Sequence, residues 1–151
     1  MHLCHAIIPI DMYKSEDMLF NSHYSAENCC SLLSSHLSEI GRSFSVLCIG
    51  CDNILSDCLG PLCGTYISEA CGIPVYGTLS KPVDANNLSF FLDRIRYFYP
   101  DEPLITIDSM KSTCGGFGNI MLINGGVLPA AERKLFSCKA GDYSIAGITK
   151  S

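Results

Sequence analysis

From Ser25 to about Ile40, the apolar residues Ala26, Cys29, Cys30, Leu33, Leu37 and Ile40 recur at helical spacing, with Glu27 in the first turn and Gly41 past the end. That pattern predicts an amphipathic helix. The next run, "SVLCIG" over residues 45–50, is short and almost wholly apolar, as expected for a strand covered on both faces. Pro61 suits the first turn of a second helix, running to about Cys71 and stopping at Gly72. "IPVYG" then reads as a strand and "TLSKPVD" as a loop. Asp84 can cap a third helix, in which Leu88, Phe91, Leu92, Ile95 and Phe98 make one apolar stripe before Pro100 ends it. "LITID", residues 104–108, is another buried strand.

This alternation of helix and strand predicts an α/β fold with parallel strands and right-handed crossovers. After Asp108 the pattern changes. "GNIMLIN" and "DYSIAGI" read as strands separated by about 17 irregular residues, longer than an ordinary loop. "GGFGN", residues 115–119, has no helix after it and reads as a turn, not a phosphate loop. The first 24 residues show no clear period. We read residues 1–21 as an irregular N-terminal arm and 22–151 as a single domain, since 151 residues can bury one core but not two ordinary ones.

Composition narrows the classes of function. Apolar residues make up 48% of the chain and charged residues 17%, which is globular and not disordered. The net charge is −5 and the ten Lys and Arg form no run, so the footprint expected for nucleic acid or an anionic membrane is missing. "AIIPI" is broken by Pro9 and follows no basic segment, so it predicts neither a signal peptide nor a membrane span. Many of the ten cysteines replace small core residues, and with no export signal they are expected to be reduced thiols in a cytoplasmic protein.

The chemistry concentrates in "IGCDNILSDCLGP", residues 49–61. In open α/β sheets, ligands sit beyond the carboxyl ends of the strands. Asp52 and Asp57 follow the end of one strand and Asp108 closes another, so Asp57 and Asp108 can face each other if the strands are neighbours. Two adjacent carboxylates do not both ionise easily, and such a pair supplies an acid and a base for amide hydrolysis. The competing reading makes Asp57 a helix cap and Asp108 the end of a strand at a turn. Cys48 and Cys51 form a C-x-x-C, but no second well-spaced pair completes a zinc ribbon, and loop residues follow Cys51 where a thioredoxin-like motif needs a helix. A redox reading requires Cys48 and Cys51 to be close and exposed. It fails if Cys48 is buried in the strand. All four histidines, His2, His5, His23 and His36, precede the sheet region, which leaves the two aspartates without a nearby nitrogen ligand for a metal. No metal and no cofactor are expected.

The segments "VLCIGCDNILSDCLGPLCG", "IPVYGTLSKPVDANNL", "LITIDS" and "GDYSIAGI", in this order, resemble the YyaC-type sporulation proteins. Those are similar to the germination protease of spore formers and more distantly to hydrogenase maturation peptidases. The resemblance covers residues 22–148, and its specificity lies in the order of motifs. It implies a three-layer, phosphorylase/hydrolase-like fold with helices on both faces of a mostly parallel sheet. In the germination protease an aspartate in a D-x-L-G-P segment and a second in an I-D-A-type segment are thought to form the peptidase site; these match Asp57 in "DCLGP" and Asp108 in "IDS". In hydrogenase maturation peptidases the two acidic positions bind a metal together with a later histidine, and this sequence has no such histidine. Proteins of this kind continue past the "SIAGI" strand into a final helix, whereas this sequence ends at Ser151. The expectation is either a fragment of a longer chain or a domain that lacks a C-terminal helix, whose uncovered sheet face would invite homo-oligomers.

The resulting expectation is a cytoplasmic, spore-associated endopeptidase in which Asp57 and Asp108 activate water, one of them protonated. Thr78, Lys81 and Asp84, in the loop after the second strand, would line the same edge and contact substrate. Lys111 would lower the pKa of one aspartate or orient a substrate carbonyl; otherwise it is a solvated loop lysine. Asp52, Asn53 and Gly60 would support the turn, and its cysteines would be bystanders. The implied partner is a protein or peptide substrate such as the small acid-soluble spore proteins. The alternative, from a different class, is a non-catalytic sporulation protein that keeps the peptidase fold and binds a protein partner.

Overall fold

The computed structural model describes residues 18–22, 26–41, 43–112, 116–126 and 140–150. Strand β1 (Met18–Ser22) leads into helix α1 (Ala26–Ile40), then β2 (Ser45–Cys48), a single 3-10 turn (Leu55–Asp57) and α2 (Leu59–Ala70). β3 (Val75–Tyr76), α3 (Leu88–Phe98), β4 (Leu104–Ser112), β5 (Ile120–Asn124) and β6 (Tyr143–Lys150) follow. The strands form one six-stranded sheet in the order β1-β5-β6-β4-β2-β3. The pairs β2/β3, β2/β4 and β4/β6 are parallel, while β5 is antiparallel to both its neighbours.

Because side chains alternate along a strand, β2 and β4 present different residues to the two faces. Leu47, Ile49 and Leu104 pack with Leu88, Leu92 and Ile95 of α3. Val46, Cys48 and Ile107 pack with Cys63 and Ile67 of α2. Helices thus cover both faces, as expected. α2 lies unusually close to the strands because its inner side is built from Gly60, Pro61 and Gly64, all buried. A Cβ on Gly60 would stand 2.1 Å from the Ile49 carbonyl oxygen, and one on Gly64 2.0 Å from that of Gly77.

Several boundaries differ from expectation. Within the segment read as an irregular arm, Met18–Ser22 forms the edge strand β1, paired with β5 over Ser22↔Ile120 to Met18↔Ile123. Five residues are too few to show a period, and long-range pairing decides the outcome. The remainder of the arm, with His2 and His5, together with His23 and most of the irregular stretch before β6, lies outside the described residues. α3 begins at Leu88, later than an Asp84 cap implies. Asp84 instead opens the preceding turn: its Oδ1 accepts the Asn86 N–H at 2.8 Å and its carbonyl accepts the Leu88 N–H at 2.9 Å. β4 does not stop at Asp108 but continues to Ser112, because β6 goes on pairing with it through Ser112↔Lys150. Lys111 is therefore a half-buried strand residue and not a loop lysine. "FG" in "GGFGN" forms the expected turn, closed by the Asn119 N–H on the Gly116 carbonyl at 3.0 Å.

Candidate functional site: a carboxylate pair at the switch point of the sheet

From β2 the chain moves through α2 to β3 on one side, then returns through α3 to β4 on the other. The crevice between β2 and β4 is thus the topological switch point, where open α/β sheets bind ligands. β2 pairs with β4 only as far as Cys48↔Ile107, and the Ile49 N–H reaches the Ile107 carbonyl at 2.8 Å. Beyond that point β2 turns away while β4 runs on beside β6. Asp57 comes from the turn after β2, and Asp108 is the first β4 residue past the β2 register.

The turn is closed by its backbone. The Cys51 N–H bonds to the Asp57 carbonyl at 3.2 Å, and the Asp57 N–H to that of Ile54 at 2.9 Å. Gly50 has φ +148, and a Cβ there would lie 2.1 Å from the Asp57 carbonyl oxygen, so the returning chain needs glycine at this crossing. Asp57 is not a helix cap. The residue at the N-terminal cap of α2 is Cys58, which makes no side-chain cap bond, and the Asp57 carboxylate is engaged elsewhere. Its Oδ2 accepts the Cys51 thiol at 3.0 Å and its Oδ1 accepts the Ser109 hydroxyl in a long bond of 3.4 Å.

Ser109 also touches the second carboxylate, giving its backbone N–H to Asp108 Oδ1 at 2.7 Å. That N–H would continue the ladder to β2 if β2 extended further; the carboxylate takes its place. One residue is thereby bonded to both aspartates. Burial pushes the Asp108 carboxyl up to about 8; the Ser109 N–H pulls the other way, and the nearby Asp57 adds to the rise. The direction of that shift favours the protonated form of Asp108.

The other expected site residues are placed as follows. The 78–84 loop runs beside the start of the turn, through the Ile49↔Val83 bridge and the Gly50 N–H on the Val83 carbonyl at 2.9 Å. Within it, Thr78 is taken up by its own turn with Ser80 and Lys81, and Asp84 by Asn86. Among the described residues neither Thr78, exposed Lys81 nor Asp84 bonds to either aspartate. Lys111 stands two residues beyond Ser109 on the same face of β4, roughly 7 Å along the strand. Asp52 and Asn53 are exposed and make no side-chain hydrogen bond among the described residues; the turn is held by main-chain bonds and by the Cys51 thiol on Asp57. Gly60 does support the site, by letting the start of α2 rest on Ile49.

Cys48 is fully buried in β2, and burial with Cys63 nearby pushes its thiol up to about 12, which ends the C-x-x-C redox reading. The expectation that the cysteines are bystanders is wrong for Cys51. Cys51 and Ser109 are not among the residues expected here from sequence, yet both bond to Asp57. The signal was present in part: Ser109 follows Asp108 directly, and any tight closure of the turn brings Cys51 to Asp57. Among the described residues, no group of three or more His, Cys, Asp or Glu is arranged to hold a metal ion, and no helix is long and apolar enough to cross a membrane.

The uncharacterized protein YyaC of Bacillus subtilis (strain 168) is 31% identical over 126 residues, which covers 82% of this chain and 62% of that relative. The chain thus spans under two thirds of the relative's length. No solved structure matches. The family described as "Protein of unknown function (DUF1256)" matches residues 18–151, β1 and the entire sheet included, and the chain belongs to that family.

Proposed function

We propose that this chain is a spore-associated endopeptidase of the germination protease type, with a phosphorylase/hydrolase-like fold, in which Asp57 and Asp108 activate water for peptide-bond hydrolysis. The observation that carries this reading is the single residue, Ser109, bonded to both carboxylates at the switch point of the sheet. A protonated carboxyl beside a hydrogen-bonded carboxylate is the equipment of acid–base hydrolysis: one group takes a proton from water, the other delivers one to the leaving amine. Lys111, on the same face of β4 as Ser109, is the residue to which this reading assigns the orienting of a substrate carbonyl. The order of motifs that resembles the YyaC-type sporulation proteins is the basis for assigning it a role in sporulation or germination, with small acid-soluble spore proteins as substrates.

The test is incubation of the purified chain with small acid-soluble spore proteins, with products mapped by mass spectrometry. Discrete internal cleavages are expected. A folded chain that never cuts would instead support the non-catalytic, partner-binding alternative.

A further inference from the structure

The surroundings of the two carboxylates differ in a way that assigns their roles. Asp57 receives one donor on each oxygen, the Cys51 thiol at 3.0 Å and the Ser109 hydroxyl at 3.4 Å. One donor comes from the turn that carries Asp57 and the other from β4, so the carboxylate is held from both sides of the crevice. Donors of this kind favour the charged form. Asp108 accepts one N–H, on Oδ1, and among the described residues its Oδ2 has no such donor. We propose that Cys51 and Ser109 are positioning residues that reserve the negative charge for Asp57, making Asp57 the base and Asp108 the acid of the site. This rests on the peptidase reading above.

The step balances. Asp57 takes a proton from water as the water oxygen bonds to the peptide carbonyl carbon. Asp108 gives its proton to the amide nitrogen, the C–N bond breaks, and the proton on Asp57 returns to Asp108 for the next cycle. Other titratable groups around the pair are few. β2 contributes the neutral Cys48 thiol, the turn carries the exposed Asp52, Cys58 caps α2, and β4 adds Lys111; β6 carries no charge before Lys150, opposite Ser112.

Carbon-13 NMR of aspartate side-chain carboxyls in the full chain, followed from about pH 4 to about pH 9, tests this directly. Asp57→Asn and Asp108→Asn supply the assignments. Above about pH 6 only the Asp108 signal is expected to move in the parent. In Cys51→Ala and Ser109→Ala the proton of the pair should be shared between the two carboxylates, so that the Asp57 signal moves over the same range as that of Asp108. Cys51→Ser and Ser109→Thr keep a donor and should restore the parent behaviour, which separates positioning from a folding defect. An Asp57 signal that moves with Asp108 in the parent, or alanine variants that leave both signals unchanged, would overturn the proposal. The readout needs no turnover. Titrations as expected without cleavage remove the peptidase reading and the acid and base roles with it, whereas cleavage with unmoved titrations overturns the positioning alone.

Discussion

Ser109 donates its hydroxyl to Asp57, 52 positions earlier in the chain, while its own N–H holds Asp108. The contact depends on two independent features of the fold. The β4/β6 register must place Ser109 opposite Gly147, and α2 must sit low enough on the sheet to bring the preceding turn down to β4. A shift of one residue in β4 would send Ser109 to the opposite face and break the link.

The raised pKa of Asp108 makes the fold sensitive to alkali. A carboxyl near 4 when unfolded and about 8 when folded binds more protons in the native state, so its contribution is complete below about pH 4 and is lost as pH rises towards 8. Asp108→Asn mimics the neutral acid and removes this dependence. Thermal melts should show the variant gaining on the parent between about pH 5 and about pH 8.5, by several degrees at the upper end. Parallel pH profiles for the two proteins would show that Asp108 is not protonated in the fold.

Gly60 is predicted to resist substitution. A Cβ 2.1 Å from the Ile49 carbonyl oxygen forces α2 away from β2, since the obstacle is backbone and cannot rotate aside. Gly60→Ala should cost about 2 kcal/mol in urea unfolding, on the scale of overpacked cores, and should lower activity further by moving Asp57. A neutral substitution would contradict the close packing described.

Thiol labelling separates the cysteines. Cys30 and Cys71 are exposed, whereas Cys48 is wholly buried with its thiol pushed up to about 12. Brief alkylation of the native protein at about pH 8, read by peptide mass spectrometry, should modify Cys30 and Cys71 and leave Cys48 untouched until denaturant is added. Cys48 labelling as fast as Cys71 would reopen a redox reading.

What the sequence made legible follows from the range of the interactions involved. The apolar periods of α1, α2 and α3, and the buried runs around Val46 and Ile105, are local patterns and could be read directly. So could the aspartate pair, because strand ends in an alternating α/β order converge on one edge. β1 could not, since its place depends on β5 about a hundred residues later. The length of β4 was hidden for the same reason: whether the chain continues past Asp108 is decided by pairing with β6. Cys51 reads as a bystander from sequence because its spacing fits no metal or redox motif, while in the fold its thiol serves as a hydrogen-bond donor.

The central claim is that two aspartates together hydrolyse a peptide bond. Its most direct test is the initial rate of spore-protein cleavage by the parent chain, Asp57→Asn and Asp108→Asn at neutral pH, with folding of each checked by circular dichroism. The account predicts measurable cleavage by the parent and a loss of roughly 100-fold or more in each variant, the scale of losing a general acid or base. Equal rates in a folded Asp57→Asn or Asp108→Asn protein would contradict it.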